Sequence, residues 1–192
     1  MGNKTLEKLV ARGLNLDPQY VKVVCAVNNF NDLTREVGDL IDLLPNQSQI
    51  SLTTQNGNAD DWISGNGYNS NPENFKVVNS NLKGSTIHQL ISQFPEFSRW
   101  RIMQSKPKTT LSVHHDGLYN LRVHIPVITN KDAWLVFYES KLKNGYQKVY
   151  HAHLPCGYAY FVKTNNFHTA VNYSNTDSRY HIIGEKNETK VC

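Results

Sequence analysis

Residues 109–129 read Thr109-Thr-Leu-Ser-Val-His-His-Asp-Gly-Leu-Tyr-Asn-Leu-Arg-Val-His-Ile-Pro-Val-Ile-Thr129. Successive side chains of an extended chain point to opposite faces. Arg122, His124 and Pro126 therefore share one face of the second half, and Val123, Ile125 and Val127 share the other. Both faces must be covered in a β-rich core, and the polar one carries a cation and an imidazole. Burying an Arg without an anionic partner costs several kcal/mol, so that face calls for an anion, and an interior dicarboxylate is a natural one. In the first half, His114 and Asp116 fall on one face and His115 on the other, and Asp116-Gly117 opens a turn.

Working outward, short β-rich runs fill the C-terminal half: Arg99–Gln104, Thr109–His115, Leu121–Thr129, Ala133–Tyr138, Gln147–Leu154, Tyr158–Val162, Thr169–Tyr173 and Tyr180–Ile183. Turn formers divide them at Lys106-Pro107-Lys108, Thr129-Asn130-Lys131, Lys143-Asn144-Gly145 and Pro155-Cys156-Gly157. Many short, evenly spaced strands predict a sandwich or barrel. Toward the N-terminus the spacing predicts helices over 4–12, 32–44 (Leu33, Val37, Ile41 and Leu44, stopped by Pro45) and 85–94, with a strand over 49–55. Helices first and strands later, without β–α alternation, exclude a doubly wound sheet. The Asn- and Gly-rich stretch 55–74 reads as a loop, either a lid that brings Trp62 and Tyr68 to a ligand or a solvated surface segment. The expected organisation is a single domain, 1–192, in which about 1–97 is a helical and loop part packed on a mainly β core of about 98–185.

A length of 192 residues suits one domain with its own core. The net charge of +4 is spread along the chain, which argues against a nucleic-acid partner and fits a pocket for small anions. Cys25, Cys156 and Cys192 are odd in number and lack CxxC spacing, so free thiols in a reducing compartment are expected. No run approaches the roughly 18 apolar residues of a membrane span, and the first residues do not read as a signal peptide. Met1-Gly2 begins like a myristoylation signal, but Leu6 stands where Ser or Thr is needed. A cytoplasmic protein is expected.

The chemistry starts from His114 and Asp116. An imidazole and a carboxylate two residues apart on a strand can hold one metal ion from the same side. Two His and one carboxylate on a triangular face is the ligand set of non-haem Fe(II) oxygenases, and it leaves three positions for co-substrate and O2. His168 is the candidate third ligand: it follows the Thr164-Asn165-Asn166 turn and opens a late strand. In a jelly roll, early and late strands lie side by side. The last strand repeats the polar pattern, with Arg179, His181 and Ile183 on one face and Tyr180 and Ile182 on the other. An Arg fork takes a carboxylate bidentately, which Lys does less well.

These residues carry a resemblance. Val113-His-His-Asp-Gly-Leu-Tyr-Asn-Leu-Arg-Val-His-Ile-Pro-Val127, then Phe167-His-Thr-Ala-Val-Asn-Tyr-Ser174, then Arg179-Tyr-His181, resembles the aspartyl/asparaginyl β-hydroxylase-like branch of the Fe(II)/2-oxoglutarate oxygenases, which includes free-proline cis-hydroxylases. It covers about residues 98–185. The resemblance implies a double-stranded β-helix (jelly roll, cupin-like) with N-terminal helices. It implies iron ligation by His114, Asp116 and His168, as in the members with a complete triad. It implies that Arg179 grips the distal carboxylate of 2-oxoglutarate, with Arg122 and His124 also lining that site. The implied cofactors are Fe(II), 2-oxoglutarate as co-substrate and O2, with ascorbate as a stimulant. The implied activity is hydroxylation of an unactivated C–H of an amino acid or peptidyl side chain, with release of succinate and CO2. Two rival readings stand beside it. His151-Ala-His153, with His115, suggests a zinc-dependent cupin-type enzyme, although Leu154-Pro155-Cys156 follows where such sites usually place a Glu. Trp100, Trp134 and the tyrosines suggest a non-catalytic jelly-roll binding module.

Overall fold

The computed structural model describes residues 13–66, 71–116, 121–142 and 145–186. The helix expected over 4–12, Tyr68, Cys192 and the turn residue Gly117 lie outside them.

Among the described residues, twelve strands form three antiparallel sheets. The strands are β1 (Val21–Ala26), β2 (Gln49–Ser51), β3 (Thr53–Thr54), β4 (Val77–Val78), β5 (Phe97–Ser105), β6 (Thr109–Thr110), β7 (Leu121–Ile128), β8 (Ala133–Leu142), β9 (Gly145–Ala152), β10 (Tyr158–Val162), β11 (Phe167–Asn172) and β12 (Arg179–Lys186). The larger sheet runs β1-β10-β7-β12-β5-β2, the smaller one β6-β11-β8-β9, and β3-β4 is a short separate ladder.

The two faces of the large sheet meet different neighbours. On the outer face, Trp100, Ile102, Val123, Ile125, Val127 and Ile182 form one core with two helices, α1 (Phe30–Leu43) and α2 (Thr86–Ser92). Leu33, Val37 and Leu40 supply the buried stripe of α1, spaced four and three residues apart as a helix face requires. The helix ends before Pro45, which disfavours helical geometry in the preceding residue. Ser85 caps α2 by accepting from the His88 amide, and the Glu36 carboxylate of α1 accepts the Thr86 and Ile87 amides. Each fully buried Val or Ile here contributes about 1.5–3 kcal/mol. On the inner face, Val21, Val23, Tyr160 and Val162 pack against Leu135, Phe137, Ala152 and Ala170 of the small sheet.

The structure departs from the sequence expectations in four places. The run Val21–Ala26 is a strand, which adds the edge strand β1 to the large sheet beside β10. The strand expected over 49–55 splits into β2 and β3, with Leu52 buried between them. Two short 3-10 turns, Ser64–Asn66 and Pro72–Asn74, interrupt the 55–74 loop, and its Trp62 packs against the outer core rather than standing free. The run Thr109–His115 forms regular ladder only at Thr109–Thr110 and then continues irregularly to a single bridge between His114 and His168. Among the described residues, no helix is long and apolar enough to cross a membrane.

Candidate metal centre and ligand cavity

A bulge aims the first histidine. Thr110 pairs with Val171 and His114 with His168, so four steps along one chain oppose three along the other. Such an insertion bends the strand and re-aims its side chains. The bridge closes with two short bonds, His114 N–H to the His168 carbonyl at 3.0 Å and His168 N–H to the His114 carbonyl at 2.7 Å. Directly opposed residues project side chains to the same side, and the two imidazoles lie 4.5 Å apart between centroids. His114 Nδ1–H donates to the Ser112 carbonyl at 2.7 Å, and His168 Nδ1–H donates to the Asn166 carbonyl at 2.9 Å. Both bonds fix the tautomer with a bare Nε2, the state a metal needs.

Asp116 completes the group. Its amide donates to the Thr164 carbonyl at 3.0 Å. Its Oδ1 is 3.7 Å from His114 Nε2, and its Oδ2 is 3.9 Å from His168 Nε2. One ligand atom from each of His114, Asp116 and His168 lies within 4.8 Å of the others, and this is the group of three or more metal-capable side chains found among the described residues. Asp116 Oδ2 is buried and, among the described residues, accepts no hydrogen bond. An orphaned buried carboxylate oxygen is costly, and a cation between it and the two bare Nε2 atoms would satisfy it. Burial holds His168 down at a pKa of about 4, so its imidazole is neutral at physiological pH. The donor set suits a divalent transition metal that accepts mixed N and O ligands.

The centre opens on a cavity of about 250 Å³ between the two sheets, bordered by His114, His168, His124, Arg122 and Arg179 on its polar side. Leu135, Val162, Ala170 and Ile183 line its apolar side. Arg179 is 6% exposed. Its Nη2 reaches Ser105 Oγ at 3.5 Å, the outer limit of a hydrogen bond, and its buried Nε has no partner. Among the described residues no carboxylate pairs with it. Desolvation alone lowers its pKa to about 10. His124 and His181 are both buried, with Nδ1 atoms 3.4 Å apart and Nε2 atoms unpartnered. Burial first, and neighbouring arginines next, hold both well below the ordinary histidine value, so both are neutral.

Arg122 borders the cavity, but its anionic partners belong to the protein. Its Nη2 sits 3.1 Å from Asp116 Oδ1 and 2.9 Å from Glu185 Oε1. The partner that the sequence reading sought in an interior dicarboxylate is thus supplied by Glu185 and Asp116. Glu185 is fully buried and also receives Arg101 Nη2 at 2.6 Å and Arg99 Nη1 at 3.2 Å. Sequence reasoning missed Glu185, Arg99, Arg101 and Ser105. The signal was present: the alternation Arg179, His181, Ile183 reaches Glu185 in one further step, and Arg99, Arg101, Met103, Ser105 alternate in the same way.

The remaining histidines go elsewhere. The His115 ring stands perpendicular to Phe167 with centroids 5.0 Å apart. His151 and His153 flank Trp134, and His153 Nδ1–H donates to the Ala133 carbonyl. Among the described residues these three form no metal-capable group. Trp100 is a core residue at 1% exposure, so it offers no binding platform.

No protein-family model matches the chain, and no curated protein matches it. Solved structures do. HygX from Streptomyces hygroscopicus, crystallised with nickel and 2-oxoglutarate, superposes with a TM-score of 0.54 at 6% identity, over 96% of this chain and 87% of its own. SnoN, a non-haem α-ketoglutarate-dependent epimerase from nogalamycin biosynthesis, gives 0.52 at 14% identity, over 98% and 88%. AviO1 from Streptomyces viridochromogenes Tue57 gives 0.53 at 12% identity, over 89% and 90%. At such identities the similarity establishes the fold, a mainly β, cupin-like jelly roll.

Proposed function

We propose that this chain is an Fe(II)- and 2-oxoglutarate-dependent dioxygenase that hydroxylates an unactivated C–H of a free amino acid or a peptidyl side chain. One observation carries the reading. The His114, Asp116 and His168 group opens on the same cavity as Arg179, a buried cation for which the described residues supply no carboxylate. The ligands bound by HygX are of the kind such a pair of sites would take.

In this reading His114 Nε2, Asp116 and His168 Nε2 hold Fe(II), and Arg179 with Ser105 holds the distal carboxylate of 2-oxoglutarate. His124 lines the same site, where its Nε2 lacks a partner among the described residues. Iron, when bound, supplies the redox chemistry that couples decarboxylation of 2-oxoglutarate to oxidation of the substrate C–H. One oxygen atom of O2 ends in succinate and the other in the product hydroxyl, with CO2 released. The apolar wall of Leu135, Val162, Ala170 and Ile183 excludes water from the reacting centre and strengthens the charge contacts within it. A cavity of about 250 Å³ lies below the usual range of ligand pockets, which favours a small substrate. Nucleic acid and membrane partners have no role in this reading, and the protein is expected to work in the cytoplasm.

The test is succinate formation from 2-oxoglutarate with anaerobically added Fe(II), ascorbate and O2, across a panel of free amino acids and short peptides. Iron-dependent succinate, stimulated by one panel member that gains one oxygen in mass, is expected. Stimulation without that gain would indicate epimerisation or another outcome of C–H abstraction. His114→Ala and Asp116→Ala should each abolish turnover; unchanged succinate in either would sink the assignment. A binding module would keep its affinity in chelator, whereas this activity should vanish.

A further inference from the structure

Asp116 lies just beyond the last bridge of its strand, where the ladder no longer restrains it. Among the described residues its backbone amide donates to the Thr164 carbonyl. Its side chain is 8% exposed, and among the described residues its cationic partner is Arg122. The same nitrogen, Arg122 Nη2, faces Asp116 Oδ1 at 3.1 Å and Glu185 Oε1 at 2.9 Å. An Nη nitrogen carries two N–H bonds, so it can serve both carboxylates at once. Glu185 is held in turn from the other side by Arg101 and Arg99 of β5. That grip depends on a local bulge: Ile183 pairs with Arg101 but Glu185 with Ser98, two steps against three, and Arg99 takes a left-handed φ of 48°. Non-Gly residues held in that region carry strain and concentrate at functional sites.

The consequence for Asp116 is asymmetric. Oδ1 is occupied by a cation, and Oδ2 is buried, unpartnered and turned toward His168. A carboxylate with both oxygens free can take two coordination positions. With Oδ1 held, it offers one.

We infer that Glu185, acting through Arg122, is a positioning residue for the metal centre: it fixes Asp116 by Oδ1 so that Oδ2 is the oxygen left free for the metal. The inference rests on the proposed iron site. It assigns Arg122 to orienting a ligand and leaves Arg179 to bind the co-substrate.

The experiment is anaerobic titration of the full chain with Co(II), read by its visible d–d absorption, for the parent, Arg122→Met, Arg122→Lys, Glu185→Asp and His114→Ala. Orienting partners of metal ligands typically contribute about 10–100-fold in affinity. Arg122→Met should therefore weaken Co(II) binding by about that factor and change the band intensities. Glu185→Asp, which keeps the charge but withdraws it from Arg122, should move both readouts in the same direction. Arg122→Lys should fall between the parent and Arg122→Met. If Arg122→Met does not fold, Arg122→Lys and Glu185→Asp carry the test. Parent-like affinity, within twofold, and a parent-like spectrum in the folded variants, alongside lost binding in His114→Ala, would overturn the positioning role and leave the iron site standing. Equal Co(II) binding by the parent and His114→Ala would overturn the iron site and this inference with it.

Discussion

Replacing Arg179 with Met should move stability and ligand affinity in opposite directions. The guanidinium is buried, and desolvation is the cause that lowers its pKa from the ordinary arginine value to about 10. A cation whose folded pKa is depressed is destabilising wherever both states carry the proton, and the penalty fades as pH rises through about 10 toward the ordinary arginine value. At pH 7 the penalty is fully present, and a fall to about 10 corresponds to an energy on the order of 3 kcal/mol. Met fills similar space without charge, so the ligand-free variant should melt several degrees higher, at about 2–4 °C per kcal/mol for a chain of this size. Co-substrate binding should suffer in return. Truncating one partner of a buried, hydrogen-bonded charge pair costs about 2–5 kcal/mol, or about 30-fold to several thousand-fold in Kd. Thermal melts with redox-inert Mn(II), with and without 2-oxoglutarate, read both effects, because a ligand at about 100 times its Kd adds about 2.7 kcal/mol of stability. The parent should gain a large shift and the variant almost none. A parent-sized shift in Arg179→Met would refute the clamp, and a lower ligand-free melting point would refute the charge argument.

Two further substitutions test the frame around the site. A Cβ at Gly184 would stand 2.7 Å from the Trp100 ring, so Gly184→Ala should overpack the outer core and lower stability by about 1–3 kcal/mol in urea unfolding; an unchanged midpoint would mean the ring yields freely. His124 and His181 are neutral in the fold and have folded pKa values well below 6.5, so the unfolded chain alone takes up their protons below that pH. Stability should then fall with acidity by about 1.4 kcal/mol per pH unit for each. His181→Asn should remove one such contribution between pH 6 and 5; an unchanged slope would count against it.

Much of the fold was legible because period-2 alternation is a direct record of two-sided burial. Val123, Ile125 and Val127 do pack outward against the helices while Arg122 and His124 face the cavity. The edge strand β1 escaped because Val21-Lys-Val-Val-Cys-Ala26 offers only a short mixed run beside a helical region, and its partner β10 lies more than 130 residues away. The bulge before His114 was invisible for the same reason: an inserted residue is defined only against the partner strand. Of the six proposed site residues, His114, Asp116, His168, His124, Arg122 and Arg179 all lie at or beside one cavity. What sequence alone could not supply is which arginine has a carboxylate already, since Glu185 lies 63 positions from Arg122 and meets it only through the β7–β12 ladder.

That distinction bears directly on the chemistry. Four arginines converge on the inner side of the large sheet: Arg99, Arg101, Arg122 and Arg179. Each of the first three pairs with Glu185, and Arg122 also with Asp116, at the end of the cavity nearest the metal ligands. At the other end of β12, Arg179 has Ser105 and no acid among the described residues. Small-molecule sites combine a largely apolar wall with a few placed polar groups, and that wall comes here mainly from Leu135, Val162, Ala170 and Ile183. A buried cation left uncompensated in such surroundings is destabilising until an anion arrives. In the proposed function this division makes Arg179 the residue for a ligand carboxylate, and a metal held by Asp116 and its two histidines the opposite anchor. With a divalent metal held by His114, Asp116 and His168, a dicarboxylate long enough to reach both that metal and Arg179 would compensate the one and fill open positions on the other, which a monoanion held at either end could not do.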